Sequence, residues 1–244
     1  MKKNALSSQI GEFSVKHPWW VLLLSLIFIG LSGAGIKGLE FTNNYRVFFG
    51  EDNPQLLAFD ALQKTYSKSD NVMILVEPAS GDVFTRENLQ AIVELTKQGW
   101  QLPYSSRVDS ITNFQHTIAE EDDLIVADLI IQPLEMTDEQ LQYVKQVALN
   151  EPLLKDRLVS KTGHVSGVNV TMQLPGTNPM EAMEITTVVR KMVEEFKLKH
   201  PDLTLHLSGM VMMNNAFGEA SLKDNSTLIP LMYGIVISTY AKLI

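Results

Sequence analysis

Cysteine is absent from the 244-residue chain, which rules out a disulfide framework, a zinc–thiolate site and a thiol nucleophile. Histidine is scarce, with five residues. His116, His164 and His206 lack a second histidine at i+2 or i+4 to make a metal-binding pair, and His17 and His200 each precede a proline at an element boundary. No G-x-S-x-G elbow surrounds a serine, and no G-x-x-x-x-G-K-[ST] loop is present to cradle phosphate. The residues therefore offer no catalytic, cofactor-binding or metal site, and no enzyme is expected. Basic residues are also in deficit, with 20 Lys+Arg against 28 Asp+Glu and a formal net charge of −8. That balance argues against nucleic acid as a partner.

Charge is missing altogether from Pro18 to Ile36, PWWVLLLSLIFIGLSGAGI, a run of 19 residues between His17 and Lys37. At about 1.5 Å per residue it reaches roughly 28 Å as a helix, close to the ~30 Å hydrocarbon core of a bilayer. It is expected to be a transmembrane helix, with Trp19 and Trp20 in the aromatic belt and Lys16 outside it. Gly30, Gly33 and Gly35 would let a second helix approach. A signal peptide cleaved after Ala34 is the competing reading, since Ser32-Gly33-Ala34 is an acceptable site; the tryptophan pair and the length of the run favour a retained anchor. A buried core helix is disfavoured because soluble domains seldom need so long an uncharged run.

Lys2, Lys3 and Lys16 against Glu12 keep residues 1–17 in the cytoplasm by the positive-inside rule. Residues 38–226, with 15 Lys+Arg and 27 Asp+Glu, then lie outside. From Thr227 a second apolar stretch begins, but only Leu228 to Ala241 is free of charge, 14 residues, before Lys242. So short a run hardly crosses, and residues 227–244 are read as the truncated start of a second transmembrane helix.

Between the two stretches the elements alternate. Asn43 to Gly50 is irregular, and its aromatics are expected to pack under the domain. Asn53-Pro54 opens a helix that places Leu56, Phe59, Leu62 and Tyr66 on one face. Val72 to Val76 is a continuous apolar run, the pattern of a central strand covered on both faces. Thr85 caps a helix with Leu89, Ile92, Val93, Thr96 and Trp100 on its apolar side, and Arg107 to Phe114 is the next strand. Glu120-Glu121-Asp122-Asp123 invites a metal reading, but four adjacent carboxylates cannot converge on one point and no turn glycine is present, so a solvated loop is preferred. Thr137 and Gln140 form a capping box for a helix ending at Asn150. Leu158 to Ser160 and Val165 to Leu174 are expected to pair as a hairpin. Asn178-Pro179 starts a helix whose Met180, Met183, Val188, Met192 and Phe196 form a stripe, read as core filling before a hydrophobic-ligand groove. Leu203, Leu205 and Leu207 alternate in a last strand, and Met210 to Ser226 leads to the second apolar stretch.

The two strand–helix–strand halves have the βαββαβ pattern of a ferredoxin-like domain. The expected class is thus a membrane-anchored α+β protein, with an inserted helix and hairpin in the domain. The segments NNYRVFFGEDNPQLLAFDALQKTY before NVMILVEP, RVDSITNF, and LHLSGMVMMNNAF leading through Asp224 to LIPLMYGIVI resemble the RND (resistance-nodulation-division) superfamily, within it the MMPL-like and hydrophobe/amphiphile exporters of bacteria. They run through most of the chain as spacing patterns rather than an invariant fingerprint.

The resemblance implies the N-terminal part of a proton-driven exporter of lipids or hydrophobic compounds. Residues 38–226 would be its periplasmic porter domain at the inner membrane. Its partners would be the lipid bilayer, the remaining spans and second half of the transporter, and an oligomeric assembly. In that family proton entry uses carboxylates inside later spans, and neither apolar stretch here holds Asp or Glu. A membrane-tethered binding or sensor module without transport is the alternative function.

Overall fold

The computed structural model describes residues 11–34, 48–50, 52–66, 70–120, 123–175, 178 and 180–243. The backbone divides into two units, Met1–Phe41 and Thr42–Ile244.

In the first unit residues 11–16 are helical, His17 interrupts, and α1 runs over Pro18–Ala34. Proline suits a first helical position, where its missing N–H costs nothing. The His17 N–H still donates to the Phe13 carbonyl, and the two rings lie 5.2 Å apart. Trp19, Trp20, Phe28 and Ile29 are all exposed, and at helical spacing they point to four different sides of the helix. A Cβ built at Gly30 or Gly33 meets no atom within 4 Å. Gly35, Ile36 and the aromatics up to Val47 lie outside the described residues.

This corrects the membrane-anchored class. Among the described residues no helix is long and apolar enough to cross a membrane. At 17 residues α1 is roughly 26 Å long, short of the ~30 Å hydrocarbon core. The second expected span fares no better. It belongs to a 34-residue helix, Met210–Leu243, whose first half carries Glu219, Lys223 and Asp224 and whose apolar part contains Pro230.

The second unit opens with α2, Pro54–Thr65, capped by the Asn53 side chain, which accepts from the Gln55 and Leu56 N–H groups. Its Phe59 and Leu62, with Tyr66 after it, are exposed rather than packed, as are Phe48 and Phe49. The strands β1 (Asn71–Pro78), β2 (Ser105–Asp109), β5 (Ser166–Met172) and β6 (Leu203–Ser208) form one sheet in the order β2-β5-β1-β6. Every pairing in it is antiparallel. Between them in sequence, β3 (Gln115–Glu120) and β4 (Asp123–Asp128) pair only with each other. Two helices complete the layer: α3 (Arg86–Trp100) joins β1 to β2, and α5 (Glu181–Lys199) joins β5 to β6. Each strand–helix–strand unit leaves a gap that one strand of the other fills.

One face of this sheet makes the core. Val72, Ile74 and Val76 of β1 are buried with Val168 and Val170 of β5 and Val108 of β2, against Leu89, Ile92 and Leu95 of α3 and Ile185, Val189 and Phe196 of α5. Both helix faces are turned relative to the expected stripes. On α3 it is Gly99 and not Trp100 that meets the sheet, because a Cβ at 99 would already lie 3.0 Å from Val170 Cγ2 and the indole would not fit. On α5, Met183 and Val188 are exposed, and the core positions are Ile185, Thr186, Val189 and Val193.

The expected insertion differs as well. The helix α4, Asp138–Asn150, has the reciprocal Thr137–Gln140 capping box. The hairpin, however, is β3–β4, in a region read as a loop. Leu158 to Ser160 meets the start of β5 only briefly, through the antiparallel bridge Val159 to Ser166 and hydrogen bonds from the Ser160 N–H to the Val165 carbonyl and from the Gly167 N–H to the Leu158 carbonyl, while the rest of β5 pairs with β1 and β2. β2 also ends early, at Asp109. Asn113 Nδ2 donates to the Val108 carbonyl and Asn113 Oδ1 accepts the Ser110 N–H, which folds residues 110–113 into a turn. The turn sets Ser110 and Thr112 in the core, where their hydroxyls meet Thr96 of α3 at 2.9 and 3.3 Å. The last helix, α6 (Met210–Leu243), begins after Gly209 and buries Val211 and Met212.

Candidate functional site

The strand β1 alternates between a buried side, Val72, Ile74 and Val76, and a side that is only half-buried, Asn71, Met73 and Leu75. Its neighbours follow the same period of two, so the face away from the helices also presents Gly167 and Asn169 of β5, Arg107 and Asp109 of β2, and Thr204 and His206 of β6. Two apolar side chains, Met73 and Leu75, sit in the middle of this polar surface. They are why the sequence of β1 reads as covered on both faces.

Residues 151–165 cover part of that face. The chain leaves α4 in a tight turn held by hydrogen bonds from the Leu158 and Val159 N–H groups to the Leu154 carbonyl, with Leu154 itself fully buried. Beneath it lie two recesses. One, of about 360 Å³, is lined by Met73, Phe114, Leu153 and Leu158 with Arg107 and Asn169 at its polar side. The other, of about 270 Å³, is lined by Leu75, Leu158, Val165 and Gly167. Leu158 and Arg157 belong to both. The polar groups around them are mostly engaged. Arg107 Nε donates to Asp109 Oδ1 at 2.7 Å, Asn71 Nδ2 donates to Asn169 Oδ1 at 2.7 Å, and His206 Nε2 lies 3.0 Å from Glu77 Oε2.

A second depression, about 490 Å³, opens on the opposite side between α3 and α5, lined by Gln98, Leu102, Val188, Met192, Glu195 and Lys199. At its end Glu94 accepts from Lys199 Nζ at 2.7 Å and lies 3.2 Å from His200 Nε2, whose ring stacks on Phe196 at 4.5 Å. The Lys199 hydrogen bond, more than the opposing effect of burial, holds the Glu94 carboxyl below its ordinary range, with His200 adding to it. This cleft has charged walls and ties two helices together. The sheet-face recesses are the more apolar, and they are the candidate site.

The residues singled out in the sequence do not converge there. Glu120 pairs with Asp123 across the end of the β3–β4 ladder, while Glu121 and Asp122 lie outside the described residues. Among the described residues no group of three metal-ligating side chains forms. His116 bonds Tyr143 at 3.0 Å. His164 meets the Ser160 and Thr162 hydroxyls, but Ser160 Oγ accepts the His164 and Val165 N–H groups at 3.1 Å, so it serves as a turn clamp rather than a nucleophile. Of the expected stripe on α5, Val188, Met192 and Phe196 line the helix cleft, while Met180 and Met183 are exposed. Asn178 lies two residues before Met180, the N-cap of α5, and accepts from the Met180 N–H while Glu181 accepts from the Asn178 N–H; Pro179 lies outside the described residues.

Sequence reasoning missed Met73, Leu75, Arg107, Arg157 and Leu158 as a group. The signal was available in β1, whose apolar residues are more numerous than one buried face requires. Chemically the site can take up the apolar body of a small molecule and hydrogen-bond its polar end; it brings together no acid–base pair. Neither the protein-family models nor the curated protein sequences contain a match to this chain.

Proposed function

We propose that residues 70–209 are a porter-type domain of a bacterial exporter of lipids or other hydrophobic compounds, of the RND/MMPL kind, working on the periplasmic side of the inner membrane. The observation that carries this reading is the pair of apolar side chains, Met73 and Leu75, set in recesses on the sheet face away from the helices. A pocket of this kind, mostly apolar with a few placed polar groups, suits small hydrophobic molecules. The resemblance of the segments around β1, β2 and β6 to that superfamily adds support. The proposal assigns no membrane crossing to α1 or α6. The test is retention of a hydrophobic dye by bacteria that carry or lack the chain. Deletion should raise retention, the intact chain should restore efflux, and Met73→Asp should fail to restore it although it folds; unchanged retention on deletion overturns the reading.

A binding module without transport is the second reading, and it rests on the same two recesses, which can hold an apolar body whether or not the chain moves it. Under it the purified chain binds hydrophobic probes while dye retention does not change.

A further inference from the structure

Among the described residues there are four arginines, and three of them face a carboxylate at 2.5 to 2.7 Å: Arg86 with Asp138, Arg107 with Asp109 and Arg190 with Glu219. Arg157 has no such partner. It stands on the ridge shared by the two recesses of the sheet face. Its position is set by the backbone, because Asp156 before it holds a left-handed φ of 60° and the Asp156 and Arg157 N–H groups donate to the carbonyls of Val159 and Leu154. Aspartate tolerates that conformation better than most residues, and the hydrogen bonds over-determine it.

The local charge runs against that of the whole protein. The net charge of the chain is −8, yet the larger recess is lined by two arginines and one aspartate, and that aspartate already accepts from Arg107. A planar guanidinium without a carboxylate offers paired donors to an incoming carboxylate or phosphate. Directly beside it the floor turns apolar. The side chains of Met73 and Leu75 lie over Gly167, so closely that a Cβ built there would be 2.9 Å from Met73 Sδ and 3.5 Å from Leu75 Cδ2.

We propose that Arg157 binds the head of an anionic amphiphile, a carboxylate or phosphate monoester, whose alkyl chain lies along Met73, Leu75 and Leu158. The inference rests on the reading of this face as the place where hydrophobic compounds bind, and it adds the sign of their charge and the residue that reads it. Asp109 and Asp156 shape the selectivity, since they bar a second anionic group from the rim.

The test is photolabelling of the full chain with diazirine-bearing decanoate, decyl phosphate and decanol, followed by peptide mass mapping. Both acids should label the peptides holding Met73 and residues 153–167 about tenfold more efficiently than decanol, the difference expected for one charge-assisted contact. Arg157→Gln should reduce the acids to the level of decanol, while Arg157→Lys, which keeps the charge, should retain most of the labelling. Competition by phosphatidic acid vesicles supports the proposal with a lipid head as the source; competition by free decanoate alone supports it with a free fatty acid. Equal labelling by decanol and decanoate overturns the anion assignment and leaves the hydrophobic site standing. Labelling of Arg157→Gln at the wild-type level also overturns it; full competition by inorganic phosphate overturns the amphiphile, since the alkyl chain would then add nothing to the anion contact. Failure of all three probes removes both readings together.

Discussion

Arg190 on α5 grips Glu219 on α6 with two parallel hydrogen bonds, Nη1 to Oε1 at 2.5 Å and Nη2 to Oε2 at 3.0 Å. Asn215, one turn before Glu219, donates to the same Oε1 at 2.8 Å. The fork joins the helix that covers the sheet to the start of the helix that leaves it. Both side chains are about half exposed, so solvent screens the pair and Arg190→Gln should cost about 1 kcal/mol or less in chemical denaturation. A cost above about 3 kcal/mol would mean that the pair is shielded in a way the structure does not show.

Acid should act on the same fork and on its counterpart at Glu94. The Arg190 hydrogen bond, then that of Asn215, holds the Glu219 carboxyl below its ordinary value of 4.5, and Lys199 does the same for Glu94. Depressed folded-state values mean that this stability is complete above the unfolded value and is lost as pH falls through the folded ones. Stability measured between about pH 5 and pH 2 should therefore decline less steeply in the Glu94→Gln/Glu219→Gln variant than in the wild type. Parallel profiles would count against both interactions.

Two glycines with positive φ make a sharp comparison. At Gly209, φ is 105° and a Cβ would stand 2.5 Å from the Asn71 carbonyl oxygen, a backbone atom fixed in β1. At Gly81, φ is 71° and no atom lies within 4 Å. Gly209→Ala should cost about 2 to 3 kcal/mol or more, and Gly81→Ala about 1 kcal/mol. Thermal unfolding of the two variants decides it, and equal losses would contradict the close approach.

The two sides of β1 should also differ in energy. Ile74 is fully buried against both covering helices, and Ile74→Ala should cost about 2 to 5 kcal/mol through lost burial and the cavity left behind. Met73, next to it in sequence, is half-buried on the face that residues 151–165 cover only in part, and Met73→Ala should cost about 1 kcal/mol. Similar losses at both positions would indicate a fuller layer over the second face.

Removing one hydroxyl from the core should be felt by its neighbours. Thr96 Oγ1 donates to the Ile92 carbonyl and meets Ser110 and Thr112 in a buried cluster. Thr96→Val keeps the shape and strands those partners, with an expected loss of about 1 to 3 kcal/mol in denaturant titration. A neutral result would require water in the cluster.

What the sequence determined is local, and it follows from side chains that act on their own backbone. Asn53, Thr85 and Thr137 cap the helices that follow them because the acceptor lies within three residues of the donor it satisfies. The alternation of Leu203, Leu205 and Leu207 likewise carries its own strand. The apolar character of Pro18–Ala34 is equally plain, because it is carried by the residues themselves.

Tertiary structure decided the rest, through atoms far apart in sequence. The buried side of α3 depends on how closely Gly99 can approach Val170, 71 positions away. Where β2 stops depends on Asn113 reaching back to Val108, and along most of its length the partners of β5 are β1 and β2, far from it in sequence. The candidate site is wholly of this second kind. Met73, Arg107, Arg157 and Gly167 share no motif, and they meet only because the sheet order β2-β5-β1-β6 leaves one face free for the turn at Leu154 to cross.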